Sequence, residues 1–65
     1  MALPKLNDVV RVYNDNGHQD GVCYELDDFA FHVRIQEDTF TEDTLGSQVA
    51  FDTRLVEWEL LYASG

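Results

Sequence analysis

The segment from Asp20 to Ile35 constrains the fold most, because it encodes a β-hairpin together with its register. With Asp27-Asp28 at the turn, Leu26 meets Phe29, Tyr24 meets Phe31 and Val22 meets Val33, all on one face. The other face pairs Cys23 with His32, Glu25 with Ala30 and Gly21 with Arg34. A half-buried sheet requires one apolar and one wetter face, alternating with period two and in phase on both strands. The segment therefore predicts a small all-β domain with one buried side.

The rest of the chain supplies further short strands. A strand is predicted from Asn7-Asp8 through Asn14, with Val10 and Val12 on one side and Val9, Arg11 and Tyr13 on the other. The polar run from Asn14 to Gln19 reads as a loop in which Asn16-Gly17 supplies the positive φ of a tight turn. Residues 36–47 form an acidic, Thr-rich loop in which Phe40-Thr41-Glu42 can extend a strand and Gly46-Ser47 closes it. A fourth strand covers Gln48 to Asp52, and Thr53 to Val56 is long enough only for a single 3₁₀ turn. The last strand, Glu57 to Tyr62, puts Trp58, Leu60 and Tyr62 on one face. The expected division is an arm at 1–6, one domain at 7–62 and a fraying tail at 63–65. Sixty-five residues lie near the lower limit for a core without staples, but eight aromatics favour a folded core over disorder. The expected core is Val10, Val12, Val22, Tyr24, Leu26, Phe29, Phe31, Val33, Phe51, Leu55, Trp58 and Leu60.

Five short strands with one turn of helix before the last resemble an SH3-like barrel of the KOW and Tudor type. Leu6-Asn7-Asp8-Val9-Val10-Arg11-Val12 resembles the opening strand of those barrels, with Asn7 where Gly usually precedes the Asp. Asp20-Gly21-Val22 resembles the start of their second strand, and Phe31-His32-Val33-Arg34-Ile35 the third. Leu55-Val56-Glu57-Trp58-Glu59-Leu60-Leu61 resembles the closing turn and strand. The resemblance implies a five-stranded SH3-like barrel. The competing OB-like barrel would want a longer helix between its third and fourth strands than residues 37–47 offer.

Charge bears on partners. Thirteen Asp and Glu oppose four Lys and Arg, for a net charge of −9. Nucleic-acid binding depends on Lys and Arg displacing counterions from phosphates, so direct binding is not expected, and anionic membranes are disfavoured for the same reason. A protein partner with a basic surface would be attracted and steered. One cysteine excludes an internal disulfide. The opening residues hold no apolar run of signal-peptide length, and a cytoplasmic location is the expectation.

Apparent chemistry has plainer explanations. Cys23 opposite His32, with Glu25 or Arg34 near, suggests a nucleophile and base. A flat sheet face supplies no oxyanion hole or cleft, so a Cys–His enzyme ranks as the third and weakest reading. His18, Cys23 and His32 are too few for a closed structural zinc site and fit no standard spacing. Asn14-Asp15-Asn16-Gly17 lacks the Asp five residues before the Gly and the final Glu of a calcium loop. Among SH3-like enzymes, the plasmid-type trimethoprim-resistant dihydrofolate reductases use a Val-Gln-Ile-Tyr run. Ser47-Gln48-Val49-Ala50 stands at the comparable place without the Ile-Tyr pair. No catalytic residue, cofactor or metal is expected.

The leading expectation is a non-enzymatic protein-binding module, a subunit or adaptor, that also pairs as a homodimer through an open strand edge. Its partner-binding candidates are Tyr13 and Phe40 with the loop acids Glu37, Asp38, Glu42 and Asp43. The wider acidic surface is Asp20, Glu25, Asp27, Asp28, Glu57 and Glu59. Residues i and i+2 of a strand lie about 6.6–6.8 Å apart on one face, so carboxylate rows can imitate the phosphates of a nucleic-acid strand. The alternative is therefore a mimic that occupies a basic nucleic-acid-binding groove, similar in size and charge to small acidic phage-encoded inhibitors.

Overall fold

The computed structural model describes residues 3–15, 17–38 and 45–64. Five strands, β1 (Val9–Asn14), β2 (Gly17–Leu26), β3 (Ala30–Asp38), β4 (Gln48–Asp52) and β5 (Glu57–Tyr62), form one antiparallel sheet in the order β4-β3-β2-β1-β5. The sheet is open, with β4 and β5 at its two edges. Among the described residues no helix is long and apolar enough to cross a membrane. The residues 53–56 form a plain turn closed by the Leu55 N–H on the Asp52 carbonyl (2.9 Å).

β-Branched residues at alternate positions make β1 and β3 the walls of the core. Val10 and Val12 from β1, Cys23 from β2, and Phe31, Val33 and Ile35 from β3 are buried, with Leu3, Val49, Phe51, Val56 and Trp58 packed against them. The Phe31 ring lies 5.7 Å from Phe51 on β4 and 5.6 Å from Trp58 on β5. Three inter-strand steps separate β3 from β5, about 14 Å if the sheet were flat. The sheet must therefore curl tightly, bringing both edge strands onto one ring.

The central hairpin departs from its expected register. Asp28 and Phe29 occupy the turn, one residue later than expected, and the Asp27 N–H donates to the Ala30 carbonyl (2.8 Å). Leu26 pairs with Phe31 and Glu25 with His32; a bulge at Tyr24 then sets Cys23 opposite Val33 and Val22 opposite Arg34. A one-residue slip exchanges the faces of a strand. Cys23 and Gly21 thus point inward, while Val22 and Tyr24 line a shallow outer hollow with Asn7, Arg34 and Gln36. Leu26 is exposed, and Phe29 is 57% exposed beneath the Arg54 guanidinium, 4.7 Å from its ring centre. On β5, Leu60 keeps the side of Trp58 through its pairing with Val10 but remains exposed on the edge, and a bulge at Leu61 sends Tyr62 to the outer side with Val9. Leu55 is 82% exposed. Val22, Tyr24, Leu26, Phe29, Leu55 and Leu60 are therefore not core residues, and Cys23 and Ile35 are.

β2 also starts earlier than expected. Asn14 pairs with Gly17, Tyr13 with His18 and Arg11 with Asp20, so most of the expected polar loop is ladder. Asn16, assigned a turn role, and Phe40-Thr41-Glu42 lie outside the described residues.

The segments before β1 and after β5 are tied in at Lys5 and Ser64. The buried Asp8 carboxylate accepts from the Lys5 N–H (2.9 Å) and the Ser64 N–H (2.8 Å). Leu3 rests on the core and Pro4 is buried, so the expected arm and tail are docked at these points. Asn7 adopts φ 71°, in the left-handed region. Asn is among the residues other than Gly that best tolerate the conformation. Asn7→Val should lower stability by about 1–2 kcal/mol, whereas Asn7→Gly should be close to neutral. Urea unfolding checks this, and equal effects of the two changes would contradict the strained backbone.

Candidate functional site

The Cys23–His32 pair of the sequence reading does not form. Cys23 is fully buried, its thiol donates to the Glu25 carbonyl (3.7 Å), and burial raises its pKa. His32 alternates with buried Phe31 and Val33 and so faces outward, with Nε2 2.6 Å from Asp27 Oδ2 and 3.6 Å from Glu25 Oε2. His18 lies apart, at the other end of β2, with Nδ1 3.1 Å from Asp20 Oδ1. His18, Cys23 and His32 do not converge.

The outer face of β1, β2 and β5 carries a linked polar cluster, which the pairing of Arg11 with Asp20 and with Glu59 brings together. The Arg11 guanidinium donates to both Asp20 oxygens (Nε to Oδ1 2.9 Å, Nη2 to Oδ2 3.0 Å), a fork geometry that suits carboxylates. Burial pushes the Asp20 pKa up, but Arg11 and His18 outweigh it and hold the carboxyl below its usual range. Beside this pair the Tyr13 hydroxyl donates to Glu59 Oε1, which raises the Tyr13 pKa, and the Tyr13 ring meets His18 edge-on at 6.2 Å.

Tyr13 also forms one wall of a groove of about 500 Å³, lined by Tyr13, Asn14, Asp15, Leu55, Val56 and Glu57. Two elements set its shape. β1 ends beside the start of β5, because Tyr13 pairs with Glu57. The turn before β5 is anchored by Thr53, whose buried side-chain hydroxyl and backbone N–H both donate to the Phe29 carbonyl (2.9 and 2.8 Å). Arg54 is pinned to Asp52 by paired bonds of 3.0 and 2.7 Å, which lower the Asp52 pKa to about 2. With Thr53 turned inward, Leu55 projects into solvent and lines the groove together with Tyr13, which is 39% exposed. The groove thus joins exposed apolar surface to the carboxylates of Asp15 and Glu57.

The expected site residues divide accordingly. Tyr13 and Glu57 line the groove and Glu59 bonds to Tyr13. Glu25 and Asp27 approach His32, while Asp28 and Glu37 are exposed. Asp20 is buried in its ion pair and is not part of an acidic surface. The Asp38 backbone ends β3, and Phe40, Glu42 and Asp43 lie outside the described residues. Sequence reasoning missed Leu55, placing it in the core, although a Thr two residues earlier able to cap a carbonyl was the available signal.

The depressed carboxylates make stability pH-dependent. Backbone N–H groups of Lys5 and Ser64 lower the Asp8 pKa, Arg11 lowers that of Asp20 and Arg54 that of Asp52. A group whose folded pKa is below its unfolded value of about 3.9 stabilises the fold above that pH, and the gain is lost as pH falls through the folded pKa. Asp8→Asn should therefore lower the melting temperature at pH 7, and the gap from wild type should narrow as pH falls below about 4. A gap independent of pH would show that the Asp8 charge contributes nothing. Searches against protein-family models, curated proteins and solved structures gave no match to this chain.

Proposed function

We propose that the protein is a non-enzymatic binding module whose Tyr13–Leu55 groove takes a partner segment carrying a basic side chain beside an apolar one. The observation that carries this reading is Leu55, a large apolar residue left 82% exposed by an anchored turn and set against exposed Tyr13, with Asp15 and Glu57 on the same lining. Aromatic anchors such as Tyr13 supply much of the affinity in such contacts, an adjoining apolar surface excludes water, and rim carboxylates supply orientation and on-rate. An SH3-like barrel is the finer fold we read into the open sheet. It is supported by five short strands, the turn before the last one and the curl that sets Trp58 on Phe31. The free edges at β4 and β5 support self-pairing as a dimer, which light scattering across a concentration series would measure.

Panning a random peptide library on the full chain tests the groove. Enriched sequences should combine Lys or Arg with an adjacent apolar residue, and the best peptide should lose at least about tenfold in affinity on Leu55→Glu with the melting temperature kept. Enrichment without basic residues, or binding indifferent to Leu55→Glu and Tyr13→Ala, would exclude the reading. Binding of basic nucleic-acid-handling proteins competed by DNA would instead favour the mimic, which draws on the exposed Glu25, Asp28, Glu37 and Glu57.

A further inference from the structure

We infer that Glu25, Asp27 and His32 form a surface site for a divalent ion of the zinc class, independent of the Tyr13 groove. The three side chains meet where the hairpin narrows. Glu25 pairs with His32 across the ladder, and Asp27 lies two residues beyond Glu25. The Tyr24 bulge creates this meeting: continuing the pairing of Cys23 with Val33 without it would set Tyr24, not Glu25, opposite His32. Bulges commonly re-aim a side chain in this way.

The donor geometry suits one ion. His32 Nε2 is 2.6 Å from Asp27 Oδ2 and 3.6 Å from Glu25 Oε2, and all three ligand atoms lie within 4.8 Å of one another. With bonds of about 2.0–2.1 Å, neighbouring ligands of a tetrahedral or octahedral ion are about 2.8–3.4 Å apart, so the two measured separations bracket the requirement. The imidazole is also placed in advance. Its side chain is only 21% exposed and its ring meets Tyr24 edge-on at 6.0 Å, whereas the two carboxylates are exposed and can rotate onto an ion. One nitrogen with two carboxylate oxygens favours zinc or nickel over calcium, since imidazole is a poor ligand for hard cations. Three protein donors leave a position of a tetrahedral shell for water or for a donor from another molecule.

Isothermal titration of the full-length chain with Zn²⁺ alone, and separately with Ca²⁺, tests the site. One Zn²⁺ per chain is expected, with H32Q and D27N each weakening it at least about tenfold and H18Q leaving it unchanged. In nuclear magnetic resonance spectra the His32 ring signals should move on adding Zn²⁺ while those of His18 stay in place. All three positions are on the surface side of the sheet, and E25Q provides a second variant should H32Q perturb folding. Absence of saturable Zn²⁺ binding, equal binding of Ca²⁺, or binding unchanged in both H32Q and E25Q would overturn the assignment.

Discussion

Gly21→Ala should leave the chain largely unfolded at room temperature. A Cβ built on Gly21 would stand 2.1 Å from the Arg34 carbonyl oxygen, 2.8 Å from the Arg34 carbonyl carbon and 2.5 Å from Val33 Cγ1. Two of these atoms are backbone and cannot rotate away, so β2 and β3 would have to part at the centre of the sheet. Overpacking a core costs about 1–3 kcal/mol even where side chains can adjust, and here the nearest obstruction is backbone. A 65-residue domain has only about 3–10 kcal/mol to lose. Gly46→Ala is the matched control, because its Cβ would meet nothing within 4 Å and only its φ of +81° is unfavourable. That change should cost about 1 kcal/mol. Circular dichroism melts of both variants decide the matter, and a Gly21→Ala protein melting within a few degrees of wild type would mean the two strands do not approach this closely.

The second large effect belongs to Phe31→Ala, expected to cost about 3–5 kcal/mol. Phe31 is fully buried and touches the rings that reach inward from both edges, Phe51 and Trp58. Its removal takes away a side chain that meets rings from both β4 and β5 across the curl, so Trp58 emission should shift to the red as the sheet opens. Leu55→Ala provides the contrast. Both residues read as core from the sequence, yet Leu55 is exposed and its loss should leave the unfolding midpoint within experimental error. A Phe31→Ala protein that keeps both its midpoint and its Trp58 emission would place the core elsewhere.

Strand existence was legible in the sequence to a degree that strand facing was not. Alternating valines mark β1, and β4 and β5 begin and end where residue type alone puts them, at Gln48–Asp52 and Glu57–Tyr62. On β2, Val22, Tyr24 and Leu26 form the more apolar side, yet that side faces outward. In a tightly curled sheet the middle strand sees the least room. Phe31, Val33 and Ile35 from β3 and Val10 and Val12 from β1 already fill the concave side, and β2 can add only Cys23 and Gly21. Volume, not hydrophobicity, selected that face. The Arg11–Asp20 pair was readable in principle, since a two-residue connection between Asn14 and Gly17 sets it in register. It was missed because Asn and Asp so often mark open loops. The groove depended on where one turn points, and no periodicity reports that.

The Asp8 clamp has an architectural consequence. A single carboxylate gathers the backbone at Lys5 and at Ser64, so the polypeptide enters and leaves the sheet through one doorway. A sheet of this kind can be set into a surface loop of a host protein with little stretching of either. Domains whose entry and exit points lie side by side, as at Lys5 and Ser64, tolerate insertion of this kind.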